Sequence, residues 1–387
     1  MQWSLPSADA AAQVAAPEWM AVTWFVLLAV LLAAYAILDG FDLGVGIVHF
    51  MAGRSATDRT AHISAIGPVW DGNEVWLVVF GGALFAAFPM AYATIFSAFY
   101  LPLIVLLFCL ILRAVSIELR HVFHSDLWKL LCDVAFSGAS LLASVIFGVA
   151  VGAAMVGLPL GQGGEFAPGS ASATGLASTS GSASTPGLAS APGPVEAVLA
   201  LVSPFSVSTG VLAATLCAVH GSVYLGLRTN GAHQERCRRV GLATWTAFLL
   251  AVGLVTVLAL TTVPAATRNM GSAPALWLVS VLGAGATFWA LRCMLARRRV
   301  AAFVGTCLMA AALVGLFFAA LYPNIVLAQD PAHSISLATA SSSRFTLLMM
   351  FFVVLVAAPL VLAYTLITYG TFHASGADAY GEDGGHG

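Results

Sequence analysis

Residues 21–43 read AVTWFVLLAVLLAAYAILDGFDL, and no charged side chain interrupts them before Asp39. A helix that crosses the hydrocarbon layer needs ~20 mostly apolar residues, so this stretch predicts a membrane-spanning helix that carries acids only at its far end. Further stretches of the same kind fall at 66–88, 92–113, 131–156, 200–226, 240–263, 274–295, 300–321 and 345–370. The prediction is therefore an all-α, polytopic membrane protein with about nine transmembrane helices. Gly and Pro inside these stretches are no objection, because membrane helices tolerate both.

Composition leads to the same class. Of 387 residues, 60% are hydrophobic and 8% charged, and the mean hydropathy is +0.95. Soluble domains carry about 25% charged residues, and a water-soluble fold of this composition would have to expose its core. The first residues, MQWSLPSADAAAQVAAPEW, contain neither Lys nor Arg. They lack a signal-type basic region, and the first apolar stretch is expected to be retained as a span.

The chain reads as one integral membrane domain over 1–387 with two atypical stretches. Residues 161–195 are almost entirely Gly, Ala, Ser, Thr and Pro, a composition that cannot bury enough apolar surface to offset its ordering entropy. They are expected to form an external low-complexity loop, and 371–387 a short cytoplasmic tail.

The cations set the orientation. Arg54 and Arg59 follow span 1, and Arg113, Arg120 and Lys129 sit at or between spans 3 and 4. Arg228, Arg236, Arg238 and Arg239 follow span 5, and Arg292, Arg297, Arg298 and Arg299 lie between spans 7 and 8. Only Arg268 and Arg344 of the 15 basic residues remain for the other side. The positive-inside rule then predicts a periplasmic N-terminus and a cytoplasmic C-terminus, which an odd number of spans satisfies.

Carboxylates inside spans cost about 2.5–3.5 kcal/mol each on insertion scales, so they require a partner or a role. Asp39 and Asp42 end span 1, Asp71 and Glu74 open span 2, and Arg113 and Glu118 lie near the end of span 3. All fall at the ends predicted to be cytoplasmic. Taken singly, each has a plain structural reading: Asp71 and Glu74 as an N-cap and its capping partner, Glu118 as a solvated residue, and Arg113 snorkelling to the interface. Taken together they suggest a polar conduit in which carboxylates exchange protons.

Nothing in the sequence demands a metal or a haem. His220 is the one His well inside a span, whereas His49, His62, His121, His124, His233 and His333 flank spans or sit in loops. A lone intramembrane His is more often a hydrogen-bonded packing residue than an axial ligand. Six cysteines lie in or beside apolar segments without a CxxC or Cys/His grouping, and read as small buried hydrophobes.

The stretches LDGFDLGVG (38–46), IGPVWDGNEVWL (66–77), GGALFAAFP (81–89), LRAVSIELR (112–120), HGSVYLGLRTNG (220–231) and YPNIV (322–326) closely resemble subunit II of cytochrome bd-type quinol oxidases, including the cyanide-insensitive branch. The likeness spans nearly the whole chain apart from 161–195, and GPVWDGNEVWL is its most specific part. It implies two four-helix bundles plus one further helix in the bacterial inner membrane. The implied partner is a homologous haem-bearing subunit I that holds all three haems, two of b type and one of d type. The complex oxidises membrane quinol and reduces O2 to water with protons taken from the cytoplasm. The resemblance also leaves room for a structurally bound quinone and a small accessory subunit, beside lipid as the surrounding partner and with no role for nucleic acid.

The family's proposed proton route through subunit II maps onto Asp71 and Glu118, the latter being Asp in some relatives. Glu74 and His220 are each Gln in some relatives, which argues against a ligand role for His220. Asp39 and Asp42 match the D-G-F-D pattern. The expectation is that cytoplasmic water delivers protons to Asp71 and Glu118 while Arg113 tunes them by its charge. An ion-coupled secondary transporter and a purely scaffolding subunit are the alternative readings. Against the transporter, no inverted repeat is visible and the acids lie away from the midplane.

Overall fold

The computed structural model describes residues 16–167, 193–264, 268, 271 and 275–373. Most of the low-complexity stretch 161–195 and of the tail 371–387 lies outside the described residues.

The fold is helical. Helix α1 (Glu18–Ile47) is followed by the short α2 (His49–Ala52) and α3 (Ala56–Ile66), then α4 (Trp70–Ala87), α5 (Pro89–Ala98), α6 (Tyr100–Leu119) and α7 (Asp126–Val156). The second half contains α8 (Pro194–Leu199), α9 (Pro204–Arg228), α10 (Gly231–Thr262), α11 (Ala275–Leu295) and α12 (Arg299–Leu321). A small pair of strands, β1 (Asn324–Val326) and β2 (Ile335–Ser336), precedes α13 (Leu337–Ala340) and α14 (Arg344–His373).

Eight of these helices are long and apolar enough to cross a membrane: α1, α6, α7, α9, α10, α11, α12 and α14. The stretch 66–88 does form a helix, but α4 has 18 residues and opens on Asp71, Asn73 and Glu74. That polar first turn is why it falls outside the eight. The stretch 92–113 divides differently from expectation. The chain breaks at Phe99, and α6 begins at Tyr100 with Pro102 in its first turn, where a missing N–H costs no intrahelical bond. Apolar composition runs unbroken across Phe99, so hydropathy alone could not place that boundary.

Helix α1 is the hub, packed against α4, α7, α9 and α12. Its residues Asp39–Gly46 are all buried. The tightest crossing is with α9, where a Cβ on Gly44 would lie 1.8 Å from the Cys217 carbonyl oxygen and one on Gly221 would lie 2.2 Å from the Gly44 carbonyl carbon. Only glycine lets the two backbones meet at that distance.

The core falls into zones along the helix axes. One end gathers Met20, Trp24, Leu84, Phe88, Ala153, Phe318 and Ile325, tied by Leu158 N–H donating to Leu327 O at 2.8 Å and Ser342 N–H to Ala87 O at 2.8 Å. The opposite end gathers Phe41, Val45, Ile66, Trp70, Ile117, Phe136 and Leu225. That second end also holds the buried ionisable side chains Asp39, Asp42, His49, His62, Arg113, Arg120 and Asp133.

Candidate functional site

Three helices bring the predicted acids to Arg113. Its guanidinium enters from α6 fully buried, and Nη2 donates to Asp39 Oδ1 on α1 at 2.6 Å. The same Nη2 donates to Glu74 Oε1 on α4. One helical turn beyond Asp39, the Asp42 carboxylate accepts from Asn73 Nδ2 at 2.8 Å. Asn73 lies next to Glu74, so the first turn of α4 serves both acids of α1. Asp39, Asp42 and Arg113 are all 0% exposed, whereas 25% of the Glu74 side chain remains open.

Asp71 and Glu118 lie apart from this group. Both are exposed, Asp71 in the first turn of α4 and Glu118 near the end of α6. The N-cap of α4 is Val69 with no side-chain cap, so Asp71 does not play the capping part its spacing allowed. Asp71 precedes Glu74 by three residues, which places the two on neighbouring positions of one helical face. Glu118 is five residues beyond Arg113, so its side chain leaves α6 in a different direction.

Asp39 Oδ2, Asp42 Oδ1, and Arg113 Nε and Nη1 are buried with no hydrogen-bond partner among the described residues. Buried polar atoms of this kind are usually satisfied by ordered water. The cluster therefore has donors and acceptors suited to a water chain.

A second polar group, which spacing did not reveal, lies at the same end. Asp133 on α7 is fully buried and accepts from Arg120 Nε at 2.6 Å, Arg59 Nε at 2.8 Å and His49 Nε2 at 3.0 Å. His49 Nδ1 lies 3.3 Å from His62 Nδ1, and His62 Nε2 lies 2.9 Å from His233 Nε2. His233 Nδ1 is 3.3 Å from Asp58 Oδ1, whose other oxygen takes Arg236 Nη2 at 2.6 Å. Asp58, three imidazoles and Asp133 thus form one continuous chain across α3, α10, α2 and α7. Its members are 13 residues apart at His49 and His62 and 171 apart at His62 and His233. No local sequence pattern could have announced it.

The ionisation of the chain follows from burial and neighbours. Desolvation, then the adjacent His49 and His233 rings, push the His62 pKa down to about 2. Burial likewise lowers His49, and the contact with Asp133 only partly offsets it. Burial opposes ionisation of Asp58, but the Ser55 backbone N–H, His233 and Arg236 outweigh it and hold its pKa below the usual range.

The haem question can be put to His220. Its Nε2 pairs with the Ile37 carbonyl at 2.9 Å and its Nδ1 with the Thr306 hydroxyl at 2.7 Å, and the ring stacks on Phe303 at 4.9 Å. Both nitrogens are committed and one ring face is covered. The residue does not fit an axial haem ligand, in line with its reading as a hydrogen-bonded packing group. The six cysteines are free, but Cys237 is not merely a small hydrophobe: the fold places it beside His62 and His233.

Comparison with known proteins agrees over nearly the whole chain. A family model described as cytochrome bd terminal oxidase subunit II matches residues 20–372. The cytochrome bd-I ubiquinol oxidase subunit 2 of Escherichia coli K12 is 29% identical, over 91% of this chain and 94% of the relative. The cytochrome bd ubiquinol oxidase subunit 2 of Bacillus subtilis 168 is 28% identical, over 90% and 94%. Among solved structures, a chain of the bd oxidase from Geobacillus thermodenitrificans superposes with a TM-score of 0.70 at 15% identity, covering 92% of this chain and 98% of that one. That last likeness concerns the fold alone.

Proposed function

Because the chain belongs to the cytochrome bd terminal oxidase subunit II family, we propose that it is the haem-free subunit of a quinol:O2 oxidoreductase and that it carries protons toward a haem-bearing subunit I. The relatives are named as subunits of ubiquinol oxidases, which supports membrane quinol as the reductant. Subunit I would hold two b-type haems and one d-type haem, and these supply the electron transfer and O2 reduction. In this reading the chain sits in the bacterial inner membrane as two four-helix bundles plus one further helix, α4 completing about nine crossings. The cation-rich end, where α2 and α3 lie, faces the cytoplasm.

The observation that carries the proton reading is the burial gradient along α4 into the helix bundle. Asp71 is exposed, Glu74 is partly open, and Asp39 is sealed beside Arg113. Asp39 and Glu74 share the one Arg113 guanidinium, so a proton taken up by either carboxylate leaves the other still paired with the buried charge. Water enters at Asp71, Glu74 passes the proton inward past Arg113, and Asp39 and Asp42 hold it beneath. Glu118 stands outside this connected group and contributes surface charge at the same end.

Replacing Glu74 with Gln in the assembled oxidase tests the route. Quinol-driven O2 uptake per haem is expected to fall by roughly tenfold or more, as loss of a positioned proton carrier does. Unchanged turnover at full haem content rejects the role. A loss of haem in proportion to activity identifies Glu74 as a structural support of subunit I.

A further inference from the structure

The chain Asp58–His233–His62–His49–Asp133 has a hydrogen count that does not close. It contains three hydrogen-bond contacts, at 2.9, 3.3 and 3.0 Å, and an ion-pair contact at 3.3 Å between His233 and Asp58, and each is attractive only with a proton between its two heavy atoms. Both ends accept: Asp58 is held by Arg236, and Asp133 by Arg59 and Arg120. Three neutral imidazoles supply three N–H groups. Starting from Asp58, His233 donates Nδ1–H, His62 donates Nε2–H and His49 donates Nδ1–H, which leaves His49 Nε2 facing Asp133 with lone pair against lone pair. Starting from Asp133, the same conflict arrives at Asp58.

A cation between His62 Nε2 and His233 Nε2 removes the conflict without a fourth proton. Both Nε2 atoms then present lone pairs to the cation. His233 donates Nδ1–H to Asp58, His62 donates Nδ1–H to His49, and His49 donates Nε2–H to Asp133. Every contact is satisfied and every imidazole stays neutral. A third donor stands ready: Cys237 is four residues after His233 and so on the same face of α10. Its Sγ and one imidazole nitrogen each from His62 and His233 lie within 4.8 Å of one another.

We propose that His62, His233 and Cys237 bind a zinc ion, which clips α3 to the start of α10. The donor set of two imidazoles and one thiolate suits zinc, and His233, partly open to solvent, leaves room for water as the fourth ligand. Two nitrogens bound to tetrahedral zinc stand about 3.3 Å apart, so the 2.9 Å separation of the Nε2 atoms has to open only slightly. The backing of each imidazole is what metal ligands require: Asp58 fixes His233, and Asp133 fixes His62 through His49. Binding forms two Zn–N bonds and one Zn–S bond, and the Cys237 thiol gives its proton to solvent.

The test uses the intact oxidase purified through a tag that contains no histidine. Elemental analysis is expected to find about one zinc per complex, falling at least tenfold in Cys237→Ser and His233→Ala. Asp58→Asn, which leaves all three ligands in place, should weaken zinc retention against a chelator by about tenfold. Chelator-stripped wild-type complex reloaded with Co2+ should show thiolate-to-cobalt charge-transfer absorption that Cys237→Ser lacks. This last measurement decides the matter even if the zinc-site variants fail to assemble. Wild-type complex that retains no zinc after loading and desalting, or that takes up cobalt without a thiolate band, overturns the proposal and assigns the missing bridge to a fourth proton. Neither result bears on the Glu74 route, which is read by O2 uptake.

Discussion

Arg113 on α6 and Asp39 on α1 meet at 2.6 Å with both side chains wholly removed from solvent. A pair of this kind contributes little net stability over an apolar replacement of both partners, yet removing one partner strands a buried charge at a cost of about 3–5 kcal/mol. Arg113→Met strands Asp39 and frees Glu74, so the assembled complex is expected to lose helical circular dichroism at a clearly lower temperature in detergent. Arg113→Lys should recover only part of the loss, because the lysine side chain is one bond shorter and its ammonium stops short of the Nη2 position that meets both carboxylates. Equal melting of Arg113→Met and wild type would show that Asp39 is not left as an uncompensated buried charge.

Asp71 and Glu118 separate the route from its surroundings. Both are exposed at the same end of the molecule, but only Asp71 shares a face of α4 with Glu74. Asp71→Asn is therefore expected to slow quinol-driven O2 uptake several-fold with haem content intact, while Glu118→Gln leaves turnover within about twofold, as surface changes usually do. The reverse ranking would place the entry on α6.

The apolar runs made most of the helices legible, since those spans are written continuously in the chain, but they hid the break at Phe99 inside one run. The gathering of acids was legible too, because Asp39, Asp42, Glu74 and Arg113 all sit at the ends that the cations mark. Their pairing was not. The expectation that Arg113 tunes Asp71 and Glu118 gave way to contacts with Asp39 and Glu74, which depend on how α1, α4 and α6 rotate about their axes. Asp133, near the start of a span, carries no local signal of its role, because its partners Arg59, Arg120 and His49 come from three other segments. His233 and Cys237 are four apart on one helix face, but His62 comes from a distant segment, so the sequence did not show the three as a group.

The crossing of α1 and α9 offers a test of the fold that is independent of the acids. A methyl on Gly221 would lie 2.2 Å from the Gly44 carbonyl carbon and 2.3 Å from the Val45 nitrogen, and backbone cannot give way as a side chain can. Gly221→Ala should cost about 1–3 kcal/mol through overpacking. A methyl on Gly253 in α10 would meet nothing within 4 Å, and there alanine should be neutral or stabilise by up to about 1 kcal/mol through helix propensity. Thermal unfolding of the two variants side by side reads the difference, and equal behaviour would mean the helices do not cross at Gly221.

Asp133 should be the least replaceable acid of the chain. It is fully buried and accepts from Arg120, Arg59 and His49, so Asp133→Asn leaves two guanidinium groups facing a neutral amide that can itself accept through only one oxygen. Breaking a buried network of this kind costs more than about 3 kcal/mol, and the loss falls on the junction of α2, α3 and α7 rather than on the Arg113 cluster. The expected phenotype is a lower yield of assembled complex, with turnover per haem in the surviving fraction near wild type. Glu74→Gln should show the opposite division, full assembly with slow turnover. Measuring both variants for haem content and O2 uptake therefore separates a support from a carrier: if Asp133→Asn assembles fully but turns over slowly, the histidine chain, and not the Arg113 cluster alone, handles protons.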